Sequence, residues 1–154
     1  MFFSGISTLN LDAKGRMAIP AKYRGALEEC CDSRVVVTVN PSRDQCLWLY
    51  PEDHWLKVAE RVARLNPMDR SQAAMQRLLL GYASEQEMDK QGRILLSSEL
   101  REYAGLDKKV TMLGQGARFE IWDSGRMPLE QDQWKESAAE AAAEKPELFE
   151  DLPL

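Results

Sequence analysis

Two short stretches of this chain set an aspartate, a glycine and an arginine at one spacing. They are Asp12-Ala13-Lys14-Gly15-Arg16 and Asp89-Lys90-Gln91-Gly92-Arg93. Each residue type suits a tight loop. An aspartate side chain bonds backbone N–H groups two residues on and folds the turn. Glycine takes a positive φ that other residues resist. The arginine that follows leaves the loop in a fixed direction, and Lys14 or Lys90 adds a second cation. A planar guanidinium offers a fork to phosphate or to guanine O6/N7, while lysine acts as a point charge. Such a pair can hold a nucleic-acid backbone and read a base. The alternative for one such loop is a structural turn whose arginine pairs with a nearby acid. Two copies in matching contexts favour the binding reading.

Other chemistry finds few parts. His54 is the one histidine and sits beside Asp53 at a helix start, so it reads as a surface or capping residue. A zinc site would lack imidazole partners, and no nucleophile–base set assembles around it. Glu85, Glu87 and Asp89 alternate along a strand and read as a solvated face. No metal, cofactor or small-molecule substrate is expected. Cys30, Cys31 and Cys46 are odd in number and form no C-x-x-C, so all three are expected as reduced thiols.

The elements that carry the loops come in two parallel series. At an offset of 77 residues, Leu11–Pro20 aligns with Met88–Ser97, and Tyr23-Arg24 with Leu100-Arg101. Farther on, Arg34–Thr38 resembles Lys109–Leu113, and Leu47–Tyr50 resembles Phe119–Trp122. Each half reads as strand, loop, short strand, short helix, two strands and a helix. Leading strands are expected within Phe3–Leu11 and Gly81–Met88, exit strands at Arg16–Ile19 and Arg93–Leu96, and helices at Pro20–Leu27 and Ser97–Tyr103, with Ser97 as an N-cap. Leu47 and Leu49 alternate with Cys46, Trp48 and Tyr50, the mark of a half-buried strand with Trp48 outward. A helix over Pro51–Leu65 presents Trp55, Val58, Val62 and Leu65 on one stripe. A second, about Met68–Leu80, belongs to neither series, turns Met75, Leu78 and Leu79 inward and ends at Gly81. Arg61, Arg64, Arg70 and Arg77 on these helices read as an exposed face. A last helix starts near Pro128.

Length and composition bound the rest. At 154 residues, 44% hydrophobic and 29% charged, the chain is long enough to bury a core without metal or disulfide. No apolar run reaches the ~20 residues of a membrane span, and Met1–Ile6 lacks the pattern of a signal peptide, so a cytoplasmic protein is expected. The net charge is −5. Residues 136–154 carry all of it, leaving 1–135 neutral and free to hold a local basic patch. From Ser137 the Ala/Glu-rich sequence is helix-prone but has almost no apolar face. Pro146 should break it, and a frayed acidic tail is expected, with Leu148 or Phe149 its candidate docking residues.

The chain resembles the MraZ family within the AbrB/SpoVT-like superfamily. The resemblance rests on Asp12–Arg16, Asp89–Arg93, Gln76–Ala83 and Cys46–Pro51, and covers nearly everything from Met1 to about Trp134. It implies an α+β fold, a pseudo-two-fold duplicated β-barrel of swapped-hairpin or double-ψ type with flanking helices. It divides the chain into a first repeat (1–66), a connecting helix (67–80), a second repeat (81–135) and the acidic tail (136–154). It also implies ring-shaped homo-oligomers, nucleoid-associated, that bind repeated promoter boxes and repress the division and cell wall gene cluster, their own gene included. The family's loop contacts map onto Lys14, Gly15 and Arg16, and by the repeat onto Lys90, Gly92 and Arg93, with Asp12 and Asp89 structuring the loops. Gln91 stands where the first loop has lysine before glycine, which favours the first loop as the base reader. The other reading is a protein-interaction or antitoxin-like module on the same barrel, its arginines gripping an acidic partner.

Overall fold

The computed structural model describes residues 1–154, which fall into two compact units, Met1–Ser124 and Gly125–Leu154. The first contains β1 (Ile6–Asn10), β2 (Arg16–Ala18), α1 (Ala21–Cys31), β3 (Arg34–Val39), β4 (Leu47–Pro51) and α2 (Glu52–Ala63). It continues with α3 (Arg70–Gly81), β5 (Ser84–Glu87), β6 (Arg93–Leu95), α4 (Ser98–Tyr103), β7 (Lys109–Gly114) and β8 (Phe119–Asp123). The second unit is dominated by α5 (Met127–Glu144), with a 3-10 turn at Pro146–Phe149.

Six strands form one antiparallel sheet in the order β1-β7-β8-β4-β3-β5. The remaining two, β2 and β6, pair only with each other. β1 and β5 are therefore open edges, and the expected closed barrel is not formed within this chain. The fold is α+β, as expected. The two halves interleave in the sheet: β1 lies against β7, and β5 against β3.

The β-branched run of β3 suits a strand, and Val35, Val36, Val37 and Val39 are all fully buried. Val35, Val37 and Val39 face the main core with Leu47, Leu49, Phe119 and Ile121. Val36 faces the other way, with Tyr50 and Trp55. The central sheet is thus covered on both faces, and β4 is not half-buried: Tyr50 and Cys46 are interior too. Trp48 points away from the main core, as expected, but is not left open to solvent. It is half-buried, with the Arg118 guanidinium 4.1 Å from its ring centroid and its Nε1–H donated to Glu120. Thr38 donates its buried hydroxyl to the Leu79 carbonyl at 2.7 Å and so ties α3 to β3.

Several boundaries shift. Pro20 is the N-cap of α1 rather than its first residue, and the helix runs on to Cys31. Asp69 caps α3 through Gln72 N–H, and Tyr82, not Gly81, closes it. Leu79 is buried as expected, but Met75 is exposed and Ala73 is buried instead. Ser97 caps α4 as expected, accepting from Leu100 N–H. The helix-prone start of the tail is helical. α5 continues through the alanine run to Glu144, because alanine and glutamate are strong helix formers even without an apolar face. It stops before Pro146, as expected. Cys30 and Cys31, expected as thiols, are joined in a disulfide between adjacent residues at the end of α1. Cys46 is free, and burial pushes its thiol up to about 12.

Candidate nucleic-acid interface

The β2–β6 ribbon is where the two repeated loops meet. Its register pairs Arg16 with Leu95, Met17 with Ile94 and Ala18 with Arg93. Directly opposed residues share a face and alternate residues switch it. Met17 and Ile94 point inward, with 1% and 2% of their surface exposed. Arg16, Ala18, Arg93 and Leu95 consequently share the outward face. Standard strand geometry places the Arg16 and Arg93 Cα atoms roughly 8 Å apart. The loop at 12–16 sits at one end of the ribbon and the loop at 89–93 at the other.

Each loop is built by its aspartate. Asp12 Oδ1 accepts from the Lys14 and Arg16 backbone N–H groups, both at 2.9 Å, and Asp12 Oδ2 accepts from Arg16 Nε at 2.7 Å. Asp89 repeats the pattern with Gln91 N–H, Arg93 N–H and Arg93 Nε. The backbone N–H of Arg16, then its side chain, and the N–H of Lys14 hold the Asp12 carboxyl down to about 2. Asp89 is lowered by the equivalent contacts, the Arg93 backbone first. The pairing of each arginine with an acid, the alternative weighed for a single loop, is thus present. It runs through Nε and leaves the terminal amino groups of the fork out of these bonds. The arginine is aimed by its aspartate and still offers donors outward.

Gly15 and Gly92 have φ of +84° and +74°, as the turn requires. Both are buried in the free chain. The cations around them face outward. Lys14 and Lys90 are exposed, and Arg16 and Arg93 are half-exposed. Beside the first loop, a cleft lined by Asp12, Ala13, Arg101, Asp107, Lys108 and Lys109 adds further cations. Beside the second, Arg24 and Glu28 join Asp89 and Lys90. The first loop is therefore the more basic.

The sequence reading missed Arg24 and Arg101 as members of this surface. Their signal was present, because they repeat at the same 77-residue offset as the loops. Arg61, Arg64, Arg70 and Arg77 lie exposed on α2 and α3, Arg64 paired with Glu60 at 2.6 Å. His54 is half-buried and stacks on Tyr50. Glu85 and Glu87 are exposed on the edge strand β5. No helix is long and apolar enough to cross a membrane.

Comparison with known proteins agrees with the resemblance. The family model described as "MraZ protein, putative antitoxin-like" matches residues 2–78 and again 79–147. A protein of Thioalkalivibrio sulfidiphilus named transcriptional regulator MraZ is 46% identical over 152 residues, 99% of each chain. Namesakes from Nitrosococcus oceani and Halorhodospira halophila are 45% and 41% identical over 152 residues, 99% of this chain and 97% and 99% of theirs.

Proposed function

This chain belongs to the MraZ family, and we propose that it is a transcription regulator, not an enzyme, that grips promoter DNA with the outward face of the β2–β6 ribbon and its two flanking loops. One observation carries the reading: Arg16 and Arg93 share one face of a single ribbon, each aimed by its own aspartate. The major groove of B-DNA, about 12 Å wide, admits a two-stranded ribbon. In that position the Arg16 and Arg93 forks meet guanine edges or phosphates, and Leu95 and Ala18 meet thymine methyl groups. Lys14 and Lys90 contact flanking phosphates. The first loop, with Lys108, Lys109 and Arg101 beside it, takes the larger share of base reading.

One protomer offers few such contacts, and the whole chain is net negative. Its hold on DNA at physiological salt is weak by itself. A homo-oligomeric ring offsets this, because linked sites gain about 10²–10⁴-fold without new contacts. The open edges of β1 and β5 supply unpaired backbone that a neighbouring copy can cover, and completion of a barrel belongs to the same proposal. So does repression, on the nucleoid in the cytoplasm, of the division and cell wall cluster through repeated boxes about 10–10.5 bp apart. The family's antitoxin-like description favours a second reading, in which the same arginines grip an acidic protein partner.

Fluorescence anisotropy on a duplex taken from directly upstream of the protein's own reading frame separates the two. Binding by the full chain should discriminate against scrambled duplex and weaken steeply with salt. Arg16→Ala should lose about tenfold or more, a bidentate base contact being worth ~1–3 kcal/mol. Undiminished binding by that variant would remove the site assignment, and no preference for the upstream duplex would favour the protein-partner reading.

A further inference from the structure

Each loop is held shut by the other half of the chain. Arg101, on α4 of the second half, donates its Nε–H to the Leu96 carbonyl at 3.1 Å, and the Leu96 N–H is donated to the Gly15 carbonyl at 2.9 Å. The Arg101 guanidinium then lies directly over Gly15: a Cβ added there would sit 2.9 Å from its Cζ and Nε. The mirror arrangement holds at the second loop. Arg24, on α1, donates Nε–H to the Ile19 carbonyl at 2.7 Å, and the Ile19 N–H is donated to the Gly92 carbonyl at 2.8 Å. A Cβ at Gly92 would sit 2.6 Å from Arg24 Cδ and Cζ. Neither arginine is spent on an ion pair.

We infer that Arg101 and Arg24 are crossed positioning residues, Arg101 clamping the loop that presents Arg16 and Arg24 clamping the loop that presents Arg93. The inference rests on the DNA-binding reading above for its consequence, though not for its geometry. It gives the loop glycine a second reason to exist. Beyond its positive φ, it lets a guanidinium plane close over the turn where any side chain would intrude. Each clamp anchors on a carbonyl just beyond an exit strand, Leu96 beside the first loop and Ile19 beside the second, so each acts at its own end of the ribbon. Each outward cation is therefore held in place by a residue of the opposite half.

The crossing makes a specific pattern of coupling the test. Arg101→Lys keeps the charge and removes the Nε donor and the planar cover. On the upstream duplex it should weaken binding about tenfold in the parent protein, yet less than about twofold when Arg16 is already alanine, since neighbours that act together are non-additive. In an Arg93→Ala background it should keep its full effect. Arg24→Lys should show the reverse pairing. Coupling within each half, or plain additivity, overturns the inference. The slope of log affinity against log salt should not change in Arg101→Gln, whereas a fall of about one would make Arg101 a phosphate contact and not a positioning residue.

Hydrogen exchange in the absence of DNA judges the clamp separately. In Arg101→Lys the amides of Lys14–Arg16 should exchange faster while those of Lys90–Arg93 keep the parent rate. Faster exchange at Lys90–Arg93 alone, or at neither loop, overturns the crossing even if Arg16 proves essential. Conversely, if Arg16→Ala binds DNA normally but the exchange pattern is found, the clamp stands and the DNA reading falls. Should either lysine variant fail to fold, Arg101→Gln and Arg24→Gln carry the same exchange measurement.

Discussion

Arg16 Nε donates to Asp12 Oδ2 at 2.7 Å, while the other oxygen of that carboxylate holds the backbone N–H groups of Lys14 and Arg16. One side chain therefore folds the turn and aims the cation that leaves it. Asp89 and Arg93 repeat this relationship at the far end of the ribbon. The pairing costs the surface some positive charge and returns direction. An aimed guanidinium loses less freedom on binding than a free one.

Asp12→Ala sets these two effects against each other. The substitution makes the loop more positive, which by charge alone should tighten DNA binding. It also leaves two N–H groups without their acceptor and the arginine without its guide. We expect several-fold weaker binding to the upstream duplex, with steady-state anisotropy as the readout. Tighter binding at low salt would show that charge outweighs aim.

The same carboxylate sets a pH expectation. Asp12 is held down to about 2, first by the Arg16 backbone N–H, and Asp89 is lowered in the same way. A depressed carboxylate contributes stability above its ordinary value near 3.8 and loses it as pH falls toward 2. Loop order and DNA binding should therefore be flat from about pH 8 to 5 as far as these groups are concerned. Protection of the Lys14–Arg16 amides, taken relative to their intrinsic exchange rates, should fall only in acid. Asp12→Asn should abolish that acid step at the first loop, and an unchanged step would assign it elsewhere.

Two glycine substitutions separate strain from collision. Gly105 has φ +60° and open space where a Cβ would go. Gly105→Ala should cost only the left-handed penalty, about 1–2 kcal/mol. Gly92 has φ +74° and a clamped arginine in that space, so Gly92→Ala should cost clearly more. Urea unfolding of both variants gives the comparison. Equal costs would mean that Arg24 moves aside freely.

Thr38→Val tests the tie between α3 and the sheet. The threonine is fully buried and its hydroxyl donates to the Leu79 carbonyl. Valine keeps the shape and leaves that carbonyl without this donor, a loss of about 1–3 kcal/mol. Chemical denaturation measures it, and a change under ~0.5 kcal/mol would show that the carbonyl finds another donor.

Much of the site was legible before any coordinates. Asp12–Arg16 and Asp89–Arg93 announce their turns because the aspartate–backbone bonds and the positive-φ glycine are local, spanning at most four residues. Ser97 as an N-cap and the stop of α5 before Pro146 are local in the same sense. The helix propensity of the alanine run is local too, and it carries α5 to Glu144 without an apolar face. Met75 was turned inward by spacing alone, which cannot tell which side of α3 meets a neighbour. β4 read as half-buried because alternation is blind to a second layer, and α2 supplies one behind Tyr50.

By itself the sequence determined the α+β class, the family, and the two loops with their cations, since each depends on contacts between near neighbours or on a pattern repeated along the chain. The tertiary structure alone decided that Arg16 and Arg93 share one face, that β1 lies on β7, and that Arg24 and Arg101 cover glycines in the opposite half. Those facts depend on the register between strands far apart in the chain, where one residue of slip would turn every side chain to the other face.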